Sequence, residues 1–379
     1  MNFNLTEEHL MIRDAAKDFA KSELLPGVIE RDELQSFPKQ QIKKLGELGF
    51  MGMMVDQKYG GAGMDTISYV LAMEEISKID ASCSVAMSVN NSLVCWGIET
   101  FGTEFQKEKY LKPLAKGEML GAFCLSEPEA GSDATSQKTT AVDCGDHYVL
   151  NGTKNWITNG NSASIYLVIA QTDVEKKHKG INAFIIEKGM KGFEVGKKEN
   201  KLGIRGSDTH SVMFTDIKVP KKNRIGDNGF GFTFAMKTLS GGRIGIAAQA
   251  LGIASGAYEL SLKYSKERKA FGKEISNHQA IAFKLADMIT EINAARLLCF
   301  KAAWLKDNNQ NYDRASAMAK VYSSETAMKT TTEAVQIHGG YGFVKEYHVE
   351  RLMRDAKITQ IYEGTSEIQR IVISRSILK

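Results

Sequence analysis

Two changes of sequence period constrain this chain more than any single motif. From Thr6 to about residue 119 the apolar residues recur at helical spacing: Thr6 can cap a helix opened by Glu7 and Glu8, with Leu10, Ile12, Ala15, Phe19 and Ala20 on one side, and Pro26 ends or bends it. Further helical runs are expected near 40–48, 67–76 and 105–116. The stretch 85–93 is small and apolar, with a few polar residues throughout. A helix of that kind is buried on several sides, either as core or as the wall of a pocket. From Gly121 the runs become short, β-branched and aromatic (148–150, 165–170, 183–186, 211–214), and Asn151-Gly152 after an apolar run signals a hairpin. Beyond Phe230 long helical periods return, over 244–266, 279–306, 312–337 and 365–378. The expected architecture is α+β: an N-terminal helical domain (1–120), a middle small antiparallel β domain resembling a barrel (121–228) and a C-terminal four-helix bundle (229–379). No common nucleotide-binding fold has this order.

Composition excludes several classes of function. The 379 residues carry a net charge of +4, small for this length, and 25% are charged. The basic clusters at 176–179 and 221–224 sit beside turn residues and read as solvated loops, so no nucleic-acid face is expected. No apolar window of about 18 residues suggests a membrane span. The N-terminal residues from Met1 to Glu8 show neither a basic nor an apolar leader region, which reads as cytoplasmic. Five scattered cysteines without a C-x-x-C pair argue for buried free thiols, and no metal site is expected. H-E-x-x-H, G-x-S-x-G and P-loop patterns are missing, and the glycines at 59–63 and 229–231 lack dinucleotide-fingerprint spacing.

Three stretches carry chemistry. In Ile361-Tyr362-Glu363-Gly364-Thr365-Ser366-Glu367 a carboxylate lies between an aromatic ring and a glycine, just before a helix start. Ser366 and Gln369 have capping-box spacing, and Ile368, Ile371, Val372 and Ile377 form an apolar face. Burial against Tyr362 would raise the Glu363 pKa and make it a base near neutrality; the alternative is a solvated glutamate in the turn before the helix. The second stretch, 123–133, ends a strand and turns through Gly131-Ser132, presenting N–H groups and hydroxyls to an anionic or heteroaromatic group. The third, 155–160, sets Trp156 beside a hydroxyl before Asn159-Gly160. Its indole is either core or a stacking platform.

Taken together, these stretches resemble the acyl-CoA dehydrogenases. Ser126-Glu127-Pro128, Ala130-Gly131-Ser132-Asp133, Trp156-Ile157-Thr158-Asn159-Gly160, Glu267-Arg268-Lys269-Ala270-Phe271-Gly272, Gln336-Ile337-His338-Gly339-Gly340-Tyr341-Gly342 and Tyr362-Glu363-Gly364-Thr365 stand in that family's order over essentially the whole chain. Residues 87–93 and 242–247 are most similar to its short-chain, butyryl-CoA branch. The resemblance implies FAD, an acyl-CoA substrate oxidised to the trans-2-enoyl-CoA, an electron-transferring flavoprotein as acceptor, and a homotetramer. It implies Glu363 as the base that removes the α-proton while the β-hydrogen leaves as hydride to flavin N5. The Glu363 N–H would stabilise the thioester carbonyl, with Gly364 allowing close approach. Phe123, Leu125, Ser126, Ser132, Trp156, Ile157 and Thr158 match positions around the flavin ring and its ribityl chain. Arg268, Phe271, His278, Gln279, Gln336, Gly339 and Gly340 match contacts to the pyrophosphate and adenosine, offered partly by a neighbouring subunit. Thr365 and Glu367 also match cofactor positions, and Ser132, Ser240, Arg243, Tyr362 and Gly364 match the substrate side.

Three positions narrow the resemblance. Some relatives carry their base on the helix before Arg243, where this chain has Gly242, which leaves Glu363 alone in that role. Many relatives place Asp where Ser240 stands, leaving the pantetheine contact there open. Ser84 replaces the arginine of glutaryl-CoA relatives, which disfavours a dicarboxylyl substrate. An oxidase or an enoyl-CoA reductase of the same fold, or a dehydrogenase of branched short chains, are the alternative activities.

Overall fold

Thr6 caps the first helix, α1 (Glu7–Phe19), as its sequence suggests, with His9 closing a reciprocal capping box. The computed structural model describes residues 4–378, so Met1 to Phe3, on which the leader reading partly rests, lie outside the described residues. Helix α2 (Thr66–Ile79) follows, then α3 (Ala81–Ser88), which widens into a π-helical segment, Val89–Cys95. Every residue from Ala81 to Cys95 is buried. The polar side chains of this stretch serve backbone groups that have no helix to satisfy them. Asn91 accepts from Met53 N and donates to Phe50 O, while Asn90 donates to Met51 O and accepts from Gly121 N. Asn90 thereby fixes where the β segment begins.

The β segment forms one eight-stranded sheet from β1 (Gly121–Cys124), β2 (Thr140–Asp143), β3 (His147–Thr158), β4 (Ile165–Gln171), β5 (Ile181–Glu187), β6 (Phe193–Lys198), β7 (Thr209–Pro220) and β8 (Arg224–Ile225). The order is β6-β7-β3-β2-β4-β5-β8, with β1 on β4. Two details differ from expectation. The sheet is not wholly antiparallel, because β1 runs parallel to β4 and β2 meets β4 in parallel at Thr140 and Gln171. Asn151-Gly152 does not turn a hairpin. It lies inside β3 at a register shift against β7, and a Cβ on Gly152 would stand 2.5 Å from the Thr139 hydroxyl. The glycine therefore marks a bulge and close approach, the other use of Gly in a strand.

All seven residues of β4 are buried, and they divide by parity. Ile165, Leu167 and Ile169 join the large helical core, whereas Tyr166, Val168 and Ala170 join a smaller core with Tyr148, Phe184 and Phe214. One strand thus belongs to two cores and binds the β segment to the helices.

The C-terminal segment contains α4 (Gly231–Glu267), α5 (Gln279–Asp307), α6 (Asp313–His338), α7 (His348–Thr359) and α8 (Ser366–Ile377). Helix α7 has no counterpart in the expected set. Its Arg354 donates to Asp32 and to Leu202 O, and Asp355 accepts from Ile204 N, stapling all three segments. On α8, Ile371 and Ile377 of the expected apolar face are exposed in the single chain. Cys144 is also exposed, unlike the other four cysteines, because it sits in the β2–β3 turn. Among the described residues no helix is long and apolar enough to cross a membrane, and no cluster of metal-ligating side chains occurs.

Candidate active site

Glu363 lies in the short connection between α7 and α8. Ile361 N donates to Ile358 O, three residues back, so the last turn of α7 tightens, and Ser366 N reaches back to Gln360 O. The helix cap is Thr365, one residue earlier than the capping-box reading: its hydroxyl accepts from Ile368 N at 3.3 Å. Gln369 is thereby released from capping, and its amide donates to Glu363 O at 3.2 Å and Gly364 O at 2.8 Å. The intervening backbone is left-handed at both residues, φ +52° at Glu363 and +91° at Gly364. Glycine suits the second; glutamate at the first is strained. Strain of this kind persists only where the surroundings over-determine it.

The Glu363 side chain points at α4. A Cβ on Gly242 would stand 2.1 Å from Glu363 Oε2, so the carboxyl fills the space a larger residue would take. Oε2 is sealed from solvent and accepts no hydrogen bond. Burial pushes the Glu363 pKa up to about 7, while Lys320 and then Arg243 pull it down. Nor does the Glu363 N–H donate to any group among the described residues. A carboxyl with one sealed, unpartnered oxygen and an idle neighbouring N–H can take a proton and bind an oxyanion.

Around it, Arg243 is buried with Nε unpartnered, and Thr238 Oγ1 is likewise unpartnered one turn away on α4. Burial lowers the Arg243 pKa, opposed by Asp313 and Glu363. The Tyr362 hydroxyl donates to Gln249 Oε1, and Gln249 Nε2 donates to Ser84 Oγ at 3.0 Å. Ser84 is thus committed to this chain and faces no free anion. Tyr69 donates to Ser88 Oγ at 3.0 Å beside Gly245, lining the space with hydroxyls. Ser240 is buried, and its hydroxyl donates to Met236 O in its own helix.

The two β motifs lie side by side. Asn155 N donates to Ser126 O at 2.9 Å. Beneath them Lys154 is completely buried, donating to Leu125 O at 2.9 Å, Glu127 Oε1 at 2.8 Å and Gln137 Oε1 at 2.9 Å. Trp156 is 54% exposed with φ +56°, so the indole is a surface platform and not core. Ser126 and Thr158 are half-buried beside it, Ile157 is buried and Ser132 is exposed. Phe123 packs against Phe234 of α4, ring centroids 6.4 Å apart, about two helical turns before Gly242.

Other expected residues are elsewhere. Arg268 ends α4, about 40 Å along the helix from Gly242. There Arg268 lies over the Tyr341 ring, Phe271 meets His278, and Gly339 and Gly340 border a groove with Tyr264 and His338. Gln279 and Gln336 are exposed on the same part of the molecule. Thr365 and Glu367 stay with Glu363. The chain therefore brings Glu363, Tyr362 and Arg243 together, sets the end of β1 about two turns of α4 away, and leaves the Arg268 group apart.

Sequence reasoning missed Lys154 and Lys320, and gave Gln369 a capping role in place of its hold on the Glu363–Gly364 carbonyls. Lys320 carried a signal: it stands among Ala317, Ala319, Ser323 and Ser324, the small residues of a buried helix face.

Comparison with known proteins agrees with this geometry. Residues 6–118, 122–217 and 229–378 match the families described as Acyl-CoA dehydrogenase N-terminal, middle and C-terminal domains. A short-chain specific acyl-CoA dehydrogenase of Clostridium acetobutylicum is 52% identical over 100% of both chains. Butyryl-CoA dehydrogenase from Megasphaera elsdenii has a solved structure that matches 100% of both chains at 50% identity, TM-score 0.99. A chain solved in work on the electron transferring flavoprotein of Acidaminococcus fermentans and flavin-based electron bifurcation matches equally completely, at 53% identity and TM-score 0.99. The chain belongs to the acyl-CoA dehydrogenase family, flavoprotein oxidoreductases acting on a CH–CH bond.

Proposed function

We propose that this chain oxidises a short-chain acyl-CoA, with butyryl-CoA as the type substrate, to the trans-2-enoyl-CoA, using FAD and passing electrons to an electron-transferring flavoprotein. The observation that carries the reading is the Glu363 carboxyl: its Oε2 is sealed from solvent, free of hydrogen bonds and set against Gly242. An α-C–H beside a thioester is a very weak acid, so its removal needs a base of raised proton affinity and donors at the carbonyl oxygen. Glu363 is the base, and its own N–H is one of those donors. Substrate that excludes water from the carboxyl moves its pKa further toward that of the activated α-proton. Arg243 and the Tyr362–Gln249–Ser84 chain border the substrate side, and Gly364 keeps the loop close. Ser132 and Ser240 are assigned to the CoA portion.

The β motifs suit FAD. An exposed indole on a left-handed backbone offers a face for a flat ring, and the Ser126 and Thr158 hydroxyls offer hydrogen bonds beside it. Bound FAD supplies hydride acceptance. Phe123, Leu125, Ser126, Trp156, Ile157, Thr158, Thr365 and Glu367 hold the flavin half. Arg268, Phe271, His278, Gln279, Gln336, Gly339 and Gly340 lie beyond the reach of one dinucleotide from Glu363. They bind the adenosine half of FAD in a neighbouring copy, which makes the protein an oligomer, a homotetramer by family likeness. We assign it to the cytoplasm and divide it at 1–120, 121–228 and 229–379.

The test is anaerobic bleaching of the flavin absorption by acyl-CoAs from acetyl to dodecanoyl, straight and branched. The fastest reduction is expected with butyryl-CoA; fastest reduction by decanoyl- or isovaleryl-CoA would overturn the substrate assignment.

A further inference from the structure

Lys320 stands in the middle of α6 with no solvent exposure, and buried ammonium groups need partners. Its hydrogen-bond partner is not a carboxylate. Nζ donates to Gly364 O at 2.7 Å, the carbonyl immediately after Glu363. Gln369 approaches the same carbonyl from α8 and also holds Glu363 O. Two side chains on two helices therefore grip two consecutive carbonyls of the one segment whose backbone is left-handed at both residues.

We propose that Lys320 is a positioning residue for the reaction: with Gln369 it locks the Glu363–Gly364 backbone so that the carboxyl faces Gly242 and the Glu363 N–H stays free, and its ammonium sets the charge that the carboxyl experiences. This rests on Glu363 being the base. The charged and titratable groups that face Glu363 are Lys320 from α6, Arg243 from α4, Tyr69 from α2 and the adjoining Tyr362. Those that face Lys320 are Glu363, Arg243, Glu367 and Glu325. Burial raises the Glu363 pKa, and Lys320 is the larger of the two cations lowering it. Burial brings Lys320 itself down to about 7, with Glu363 the main group holding it up, so the two share their charge over the neutral range. Removing Lys320 leaves desolvation opposed by Arg243 alone, so the Glu363 midpoint should rise.

The experiment compares Lys320→Met, Lys320→Gln, Gln369→Leu and Glu363→Gln as flavin-loaded holoenzymes. Turnover per bound flavin is read with butyryl-CoA across pH, and protonation of Glu363 by its infrared carboxyl band, assigned from Glu363→Gln. Lys320→Met should lower kcat about tenfold or more, with KM little changed, and raise the Glu363 midpoint by about one pH unit. Lys320→Gln, which keeps a donor and loses the charge, should recover part of kcat and keep the raised midpoint. Gln369→Leu should lower kcat with the midpoint unmoved. Should Lys320→Met fail to fold, Lys320→Gln alone decides. A wild-type midpoint and wild-type kcat per flavin in the lysine variants would overturn the proposal, with the base assignment intact. Wild-type turnover in Glu363→Gln would instead remove the base assignment itself.

Discussion

Glu363 occupies a backbone conformation that glutamate seldom adopts, and its carboxyl lies where no hydrogen bond compensates its charge. Both features cost stability, by about 1–3 kcal/mol for the backbone alone. Glu363→Gln should therefore keep flavin and acyl-CoA binding while losing nearly all turnover, read as bleaching by butyryl-CoA. Stability should respond in a pH-dependent way. The folded pKa of about 7 lies above the ordinary carboxyl value, so the folded state holds this proton more tightly than the unfolded chain. The ionised carboxyl then destabilises the fold progressively as pH rises from about 4.5 through 7, by on the order of 3 kcal/mol. The variant should match the wild type in thermal midpoint below the ordinary carboxyl pKa and exceed it where the carboxyl is fully ionised, above about 7. For the wild type, kcat/KM should rise through the same neutral region. The residue types of this site were legible in sequence, because a glutamate beside glycine before a helix already suggested a base. Its grip was not: the partners Lys320 and Gln369 come from α6 and α8, and only tertiary packing brings them to one loop.

At the scale of elements, the two β motifs proposed to hold the flavin depend on a buried bracket. Lys154 ties the end of β1 to Glu127 and Gln137, and Glu127 accepts from the Lys138 and Thr139 amides. Removing one partner of a buried ion pair leaves an uncompensated charge, at about 3–5 kcal/mol. Lys154→Met should release FAD at least about tenfold more readily, measured by flavin fluorescence after dilution, and lower the thermal midpoint. Element types followed from periodicity, including the helical–β–helical order. Asn151-Gly152 misled because the same dipeptide serves a turn or a bulge, and the choice is made by Thr139 on the neighbouring chain segment. The cap of α8 shifted by one residue because Thr365 and Ser366 are both capping types, and only geometry selects between them.

Over the whole molecule, the site residues divide into two groups separated by most of α4. If each cofactor is completed by a second copy, subunits carrying Glu363→Gln and subunits carrying Arg268→Ala should complement. Separately each preparation should be nearly inactive; after mixing by co-expression, about a quarter of the sites should regain a full set, seen as recovered turnover. No recovery would place both halves of the site in one chain. The order of the three segments was legible in the sequence; the separation was implied only by the family resemblance, because it depends on the length of one uninterrupted helix. The three tryptophans have a practical consequence of their own. One falls in each segment: Trp96 packed edge-on to Phe101, Trp156 exposed near the end of β3 and Trp304 half-exposed on α5. Intrinsic fluorescence then carries three separable signals. Trp156 emission should be quenched by FAD bound as proposed, Trp304 emission should follow the C-terminal helices, and Trp96 emission should change only when the N-terminal core opens.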